Sequence, residues 1–261
     1  MKRNSLLTNS TLRALDVLEY LASHSDGIGV TDVSKGLGLD KSTTYRILNT
    51  LKYRGYVVQD KTSKKFRLGV KILELSHKVS AKMELKMAAA PVLSQLVKMY
   101  NETAHLGVLD RGEVLYVDTK ECSQFMRITS HIGLRNPVHC TALGKAILAF
   151  LPEERVEQIC KEKGMKRFTK NTITRIDDLK NELKKIRRLG YAVDNRELYE
   201  STRCIAAPVR NHEGKVVGAI SISAPANRLT LQEIKKIGKT MVAMAGEISR
   251  SLGYREHSVG E

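Results

Sequence analysis

Polar side chains recur along one stretch of the chain at the spacing of a helix face. They are Ser42, Arg46, Asn49 and Tyr53, at i, i+4, i+7 and i+11 of the stretch 41–54. On a helix these positions form one stripe. Arginine pairs with guanine edges, asparagine with adenine, and serine with phosphates or bases. The stripe therefore predicts a helix that reads the DNA major groove, with a solvated surface helix as the competing interpretation.

A short helix and a tight turn must position that stripe. Val33 and Leu37 lie four residues apart, and Thr31 can serve as the N-cap of the helix that contains them. Gly38 closes this helix, and Asp40 is the natural N-cap of the next one, over 41–54. Two helices joined by a turn with glycine make a helix-turn-helix pattern.

A hairpin follows the second helix. Gly55 ends the helix, YVVQD alternates as a strand does, KTSKK turns, and FRLG returns. A Lys-rich hairpin directly after a recognition helix is a wing, whose cations would meet phosphates or the minor groove. The predicted DNA contacts are Thr31, Lys41, Ser42, Thr43, Thr44, Tyr45, Arg46, Asn49, Lys61, Lys64, Lys65 and Arg67.

The charge balance supports a polyanionic partner. The net charge is +16 and the pI is about 9.7. From Lys41 to Lys71 there are nine Lys or Arg residues and one acidic residue, Asp60. A nucleic acid fits best, while an anionic membrane surface or a generic basic surface are weaker interpretations. No apolar run is long enough to span a membrane or act as a signal peptide. Four scattered cysteines without CxxC fit reduced thiols, so we expect a cytoplasmic location.

The second half alternates strand and helix signals. HLGVLD, VLYVDT and FMRITS are strand candidates, and Gly112 breaks the first two as a hairpin would. Helices are predicted at 142–151, 153–163 and 176–189, and strands return at YAVDN, CIAAPVR and VVGAISIS. Thr230 and Glu233 open the last helix as a capping box. Two antiparallel groups of strands flanked by helices predict an α+β fold.

Three features of this half predict a ligand site. CTALGK at 140–145 is a small-residue turn that opens a helix and offers free N–H groups to an anion. Ser221 and Ser223 leave the same face of a strand. Asp194 and Cys204 lie on neighbouring strand candidates. Together they could hold an anionic head and a hydroxyl group of a small molecule.

Alternatives remain for each of these residues. Ser221 and Ser223 could face solvent, Cys204 could be a buried apolar residue, and Asp194 could only cap or pair with Arg196. His105 and His139 are more typical of packed, hydrogen-bonded histidines than of metal ligands. A metal site built from His139, Asp194 and Cys204 is conceivable, but we expect none.

The order of motifs resembles the IclR family of bacterial transcription regulators. The match runs through RALDVLEYLA, KSTTYRILNTL and FRLGVKILELS, then ETAHLGVLD, PVHCTALGKAILAFLP, LKKIRRLGYAVDNRE and RCIAAPV with GAISISAP. The resemblance implies a winged helix-turn-helix at 8–70, a linker helix at 71–84 that contributes dimer contacts, and a GAF-like effector-binding domain at 85–254. It also implies a small organic acid as the effector. The implied effector contacts are Ala142, Leu143, Gly144, Asp194, Cys204, Ser221 and Ser223.

The predicted function is a ligand-responsive, sequence-specific DNA-binding regulator that forms a homodimer or homotetramer on a double-stranded operator. Repression is the family's commoner mode, and activation of a catabolic operon is the alternative. We expect no cofactor and no catalysis, because GAISIS forms no Gly-x-Ser-x-Gly elbow and no phosphate loop or HExxH is present. A sensor or enzyme with non-specific nucleic-acid binding is the second class that remains open.

Overall fold

The computed structural model describes residues 7–80 and 84–255, without the side chains of 77–80. The chain divides into two compact units, residues 1–82 and 83–261. The linker helix predicted at 71–84 corresponds in part to α4, Lys71–Ser80. Residues 81–83 of that prediction lie outside the described residues.

The first unit begins with three helices. They are α1 (Asn9–Ala22), α2 (Val30–Leu37) and α3 (Lys41–Tyr53). Gly29, not Thr31, is the N-cap of α2, so Thr31 lies within the first turn and the predicted cap was wrong. Gly38 ends α2, as predicted, and the structure shows that it does so in the left-handed conformation. Val17 and Leu21 of α1 enter the core, with Val33 and Leu48 from the other two helices.

The predicted wing is confirmed. Its strands are β1 (Val57–Gln59) and β2 (Phe66–Leu68), which pair antiparallel with Val57 opposite Leu68. Phe66 fills the small core of this unit and bridges to Ile28. Burial of one aromatic ring therefore anchors the hairpin against the helices.

The second unit contains the remaining elements. The helices are α5 (Glu84–Tyr100), α6 (Ala142–Leu148), α7 (Glu153–Lys163), α8 (Ile176–Leu189) and α9 (Leu231–Ser251). The strands are β3 (Thr103–Asp110), β4 (Glu113–Lys120), β5 (Arg135–Pro137), β6 (Ala192–Asn195), β7 (Thr202–Arg210) and β8 (Val216–Pro225). The α+β class is confirmed.

All six strands form one antiparallel sheet in the order β5-β4-β3-β8-β7-β6. The two predicted groups of strands are therefore joined, because β3 pairs with β8 over Thr103–Gly107. The strand predicted at FMRITS is absent, since residues 121–134 run as an irregular loop. The loop leads instead into the short edge strand β5.

Each face of the sheet carries its own core. Helices α5 and α9 cover one face, where Leu106, Ile220 and Ile222 are buried. Helices α6, α7 and α8 cover the other, against Ala206 and Ala219. Small side chains on this second face leave room between the sheet and α6.

Two helix predictions in this unit need correction. Helix α6 ends at Leu148, three residues before the predicted end at 151. Thr230 caps α9 by accepting a bond from the Glu233 N–H (3.2 Å), as predicted. The Glu233 carboxylate contacts Lys236 at 2.8 Å, and the reciprocal bond of a capping box is not observed.

Candidate functional site

The recognition helix α3 starts from a strong N-cap. The Asp40 carboxylate accepts hydrogen bonds from the Thr43 N–H (2.7 Å) and the Ser42 hydroxyl (2.8 Å). These bonds hold the pKa of Asp40 well below its usual range. The cap therefore fixes the first turn of α3, the part of a recognition helix that usually contacts bases.

The exposed face of α3 agrees with most of the predicted stripe. Ser42, Tyr45 and Arg46 are exposed and Asn49 is half-buried. Tyr53 is 89% exposed, so the last turn of α3 also presents an aromatic ring.

Thr44 is the exception among the predicted DNA contacts. Its side chain is fully buried, and its hydroxyl donates to the Asp40 carbonyl at 2.9 Å. Because Thr44 faces the core of the first unit, its assignment as a DNA contact was wrong. Thr31 and Lys41 are exposed and Thr43 is half-buried.

Arg46 lies in the same cleft as Arg13, a basic residue that was not among the predicted DNA contacts. A cleft between α1 and α3 is lined by Arg46, Arg13, Ser10, Thr43 and Thr50, among others. Its lining includes no acidic residue. Arg13 therefore adds a second cation beside the start of α3, and only the packing of α1 against α3 brings it there.

Local hydrogen bonds define the turn at the tip of the wing. The Asp60 carboxylate accepts bonds from the N–H groups of Thr62 (3.1 Å) and Ser63 (2.7 Å), and Lys64 adopts a positive φ of 57°. The Asn- or Asp-initiated turn is the usual way to hold such a tip. The side chains of Lys61, Lys64, Lys65 and Arg67 are exposed.

A side-chain bridge fixes the wing relative to α3. Gln59 accepts a bond from the Lys52 ammonium (3.1 Å) and donates to the Lys64 carbonyl (3.1 Å). The two basic elements of the first unit are thus held in one arrangement. They form a surface that can bind a phosphate backbone while α3 enters a groove.

In the second unit, a cavity of about 80 Å³ lies between the sheet and the start of α6. It brings together six of the seven predicted effector contacts: Ala142, Leu143, Asp194, Cys204, Ser221 and Ser223. Ser221 and Ser223 are 1% and 4% exposed, so the alternative that they face solvent is wrong.

Gly144 is not among the residues that line the cavity. A Cβ atom at this position would lie 2.3 Å from the Val138 carbonyl oxygen. Its N–H donates to the Thr141 hydroxyl at 3.2 Å, as part of the N-cap of α6. Gly144 therefore allows α6 to pack closely against Val138 beside the cavity. The structure does not place Gly144 in contact with the cavity.

A polar row crosses four strands of the sheet, and three of its members, Asp194, Cys204 and Ser223, line the cavity. Strand register places Asp194 opposite Cys204, Cys204 opposite Ser223, and Ser223 opposite Thr103. Directly opposed residues project from the same face of a sheet. Ser221 begins a second row with His105 on β3. Alternation along each strand thus aligns these polar groups although they are distant in sequence.

Asp194 has an unusual environment for a carboxyl group. It is 2% exposed, and burial raises its pKa to about 7. Its Oδ1 accepts a bond from the Glu197 N–H at 2.7 Å, so the alternative that Asp194 has a capping role is correct as well. The alternative of a pair with Arg196 is not observed, because Arg196 donates to the Glu200 carbonyl. A carboxyl group that titrates near neutrality can donate a hydrogen bond to an anion.

The thiols near the cavity are not activated. Burial raises the pKa of the Cys204 thiol, and the nearby Asp194 raises it further. Burial also raises the pKa of Cys140, to about 12. Both groups therefore stay protonated at neutral pH, where a thiol is a poor nucleophile and a poor metal ligand.

The two histidines are packed. His139 Nε2 contacts the Lys166 carbonyl at 3.1 Å, and His105 Nδ1 contacts the Thr119 hydroxyl at 3.2 Å. Within residues 7–80 and 84–255, no group of three His, Cys, Asp or Glu side chains could hold a metal ion. The conceivable site from His139, Asp194 and Cys204 is therefore not formed among them.

Several residues that line the cavity were missed by sequence reasoning. They are Tyr116, Ile128, Thr129, Ser130, Leu134, Asn136, Leu198, Tyr199 and Thr202. Ile128, Thr129 and Ser130 belong to the loop 121–134, which had been predicted in part as a strand. The Tyr116 hydroxyl accepts a bond from the Asn136 amide at 3.3 Å, and both residues line the cavity.

No helix in the described part of the chain is long and apolar enough to cross a membrane.

Comparison with known proteins matches both units. The model of the IclR helix-turn-helix domain matches residues 10–61, and that of the bacterial transcriptional regulator IclR C-terminal domain matches residues 77–250. The regulator XynR of Escherichia coli strain K12 is 34% identical over 248 residues, which cover 95% of this chain and 98% of XynR. The regulator KdgR of the same organism is 34% identical over 249 residues, with 95% and 94% covered.

A solved structure shares the whole architecture. The crystal structure of the Thermotoga maritima IclR superimposes with a TM-score of 0.79 at 32% identity, covering 94% of this chain and 99% of that one. Matches of this extent include the recognition helix, the wing and the cavity. The chain therefore belongs to the IclR family of bacterial transcriptional regulators, which bind operator DNA and small-molecule effectors.

Proposed function

We propose that this regulator is a repressor that a small organic acid releases from its operator. The observation that carries the effector part is the cavity of about 80 Å³, in which Asp194, Ser221 and Ser223 converge. One water needs roughly 10–15 Å³ of such space, so the cavity has room for a ligand of roughly five to eight heavy atoms. Drug-sized pockets are several times larger.

The polarity of the cavity favours an acid. Ser221 and Ser223 offer hydroxyl donors, and a protonated Asp194 offers a third. The N–H groups of Ala142 and Leu143 are in the first turn of α6, where helical amides have no acceptor of their own. A buried carboxylate needs several such donors to offset its lost hydration.

The DNA-binding part rests on α3 and the wing. Arg46 and Asn49 would contact base edges, and Lys61, Lys65 and Arg67 would contact phosphates. We infer that the protein binds as a homodimer or homotetramer, because two recognition helices on a roughly palindromic operator give the specificity that one small head lacks. The effector would couple to DNA affinity by changing the placement of the two heads, with a coupling free energy of about 1–3 kcal/mol.

Catalysis is not part of the proposal. The Cys204 and Cys140 thiols stay protonated because burial raises their pKa values, and Cys204 is therefore no activated nucleophile. The polar groups around the cavity are suited to binding rather than to bond cleavage.

Two measurements test the proposal. Fluorescence anisotropy should show tighter binding to the upstream region of the protein's own gene than to scrambled DNA at physiological salt, by 10³-fold or more. A specificity ratio near one would instead favour non-specific nucleic-acid binding. An activator would bind the operator with the same preference but raise transcription in a reporter assay.

Thermal-shift screening of small carboxylates tests the effector site. A hit should lose most of its shift in Ser221→Ala and Asp194→Asn, and keep it in Ser251→Ala, an exposed serine at the end of α9 that does not line the cavity. If the shift persists in both cavity variants, the ligand binds elsewhere. Adding the hit to the operator complex should then weaken DNA binding if the protein is a repressor.

A further inference from the structure

His105, on β3, has one ring nitrogen with a hydrogen-bond partner and one without. The side chain is fully buried, and Nδ1 contacts the Thr119 hydroxyl on β4 at 3.2 Å. Within the described part of the chain, Nε2 has no hydrogen-bond partner. Buried polar atoms without a partner are rare in folded proteins, so each one needs a physical explanation.

His105 projects from the face of the sheet that carries the cavity. Strand register places it directly opposite Ser221 on β8, and Ser221 lines the cavity. Side chains of directly opposed residues leave the same face, with Cβ atoms about 4.5–5.5 Å apart. In an imidazole ring Nε2 is at the end far from Cβ, whereas Nδ1 is next to the attachment point. The unpartnered nitrogen is therefore within reach of the Ser221 hydroxyl.

The imidazole ring of His105 is held in a defined orientation. Tyr116 packs edge-on against it, with 5.3 Å between ring centroids and 77° between the planes, and Thr119 contacts Nδ1 from the neighbouring strand. Burial lowers the pKa of His105 to about 4, so the ring is neutral at neutral pH. A neutral imidazole has one N–H donor and one acceptor nitrogen. When the Thr119 hydroxyl donates to Nδ1, Nε2 therefore carries the N–H.

The cavity must hold an acid with neutral donors. Among the described residues, its lining includes no lysine, arginine or histidine. A bound carboxylate would therefore depend on hydroxyl and backbone N–H groups to offset its lost hydration. A hydroxyl that itself accepts a hydrogen bond is a stronger donor, because hydrogen bonds in a chain polarise one another.

We propose that His105 is a positioning residue that acts on the effector through Ser221, which rests on the proposed function of the cavity as an acid site. In the acid-bound protein the Thr119 hydroxyl donates to Nδ1, the Nε2–H donates to Ser221 Oγ, and the Ser221 hydroxyl donates to the carboxylate. This chain of hydrogen bonds gives Nε2 the partner that it lacks and fixes the Ser221 hydroxyl as a donor to the acid. No group changes its protonation state.

The test is a double-mutant cycle on the Kd of the full chain for acetate, propionate and lactate, measured by ligand-observed NMR titration. His105→Asn keeps a polar group at about the place of Nδ1, next to Thr119, but has no atom at the place of Nε2. We expect it to raise Kd about tenfold in the wild-type background. In the Ser221→Ala background it should have no further effect, because the hydroxyl through which His105 acts is gone.

Ser223→Ala is the matched control for this cycle. Ser223 lines the same cavity from the same strand, but Thr103 and Cys204 are its cross-strand neighbours. The effects of His105→Asn and Ser223→Ala should therefore be independent, so that their fold-changes in Kd multiply. His105→Gln, whose amide reaches about the place of Nε2, should bring Kd back to within about threefold of wild type.

Thr119→Val gives a second readout if His105→Asn fails to fold. It removes the first donor of the chain and keeps the branched shape, so it should weaken acid binding in the wild-type background and have no effect in Ser221→Ala.

An unchanged Kd in His105→Asn would overturn the proposal. So would equal losses from His105→Asn with and without the Ser221 hydroxyl, because they would show that His105 acts only through packing. Either result leaves the effector site itself intact. If none of the three acids binds the wild type, the small-acid effector and the role of His105 are both wrong.

Discussion

The ammonium group of Lys145 lies 2.5 Å from a carboxylate oxygen of Glu197, and the two side chains are only 1% and 6% exposed. This ion pair joins α6 to the segment that follows β6. Residues that line the cavity lie before and after Glu197 in the chain. The backbone N–H of Glu197 also donates to Asp194 at 2.7 Å. The ion pair thus fixes the position of the cavity floor. Substitutions at the pair and at neighbouring residues should therefore have measurable effects.

Lys145→Met should destabilise the protein by about 3–5 kcal/mol, because it leaves the Glu197 carboxylate buried without its partner. The double variant Lys145→Met plus Glu197→Gln should regain much of this loss, since the amide can still accept from the Asn195 N–H. Urea denaturation of the full double-mutant cycle measures both effects. A loss below about 1 kcal/mol in Lys145→Met would show that the pair contributes little.

Asp194 should make stability depend on pH. Its folded pKa of about 7 exceeds the unfolded value, so between about pH 4 and 7 the folded protein binds more protons than the unfolded chain. The contribution of this group to the free energy of unfolding therefore falls as pH rises through that window, by roughly 4 kcal/mol in total. The substitution Asp194→Asn removes this pH-dependent contribution to the free energy of unfolding.

The measurement is the difference in unfolding free energy between wild type and Asp194→Asn at pH 5 and pH 8. Taking this difference cancels the contributions of other titrating groups such as His105 and His139, whose pKa values are lowered by burial. A pH-independent difference would mean that Asp194 titrates in its ordinary range.

Gly144→Ala should destabilise the second unit, because the added Cβ would lie 2.3 Å from the Val138 carbonyl oxygen. Overpacking of this kind costs roughly 1–3 kcal/mol or more. Gly246→Ala in α9 is the matched control, since its Cβ meets nothing closer than 3.4 Å and alanine favours a helix by about 1 kcal/mol. Thermal midpoints should move in opposite directions, and equal shifts would refute the close contact at α6.

Arg46→Ala should reduce discrimination between operator and random DNA by about 1–3 kcal/mol. Lys61→Ala should weaken binding to both DNAs alike and lower the slope of log K against log salt by about 0.9. Unchanged discrimination in Arg46→Ala, measured by anisotropy across salt, would show that Arg46 does not read bases.

Local signals were sufficient for most elements of the fold. The Asp40 cap, the Gly38 stop and the hairpin around Gly112 depend on residues within a few positions of each other, and the structure contains all three. The predicted bounds of α7 and α8, 153–163 and 176–189, are also observed, and the apolar spacing that indicates α8 is a local signal. The predictions of an N-cap at Thr31 and of a strand at FMRITS were wrong. In both places the local sequence is compatible with two structures, and tertiary packing determines which one forms.

The sequence by itself determined which chemistry the cavity contains, because Asp194, Cys204, Ser221 and Ser223 stood out as polar groups in apolar strands. Only the tertiary structure decided that they meet, since strand register across β6, β7 and β8 aligns residues far apart in the chain. It also decided that Gly144 packs rather than binds, and that Arg13 joins Arg46. Burial and contact depend on non-local packing, which periodicity along one segment does not encode.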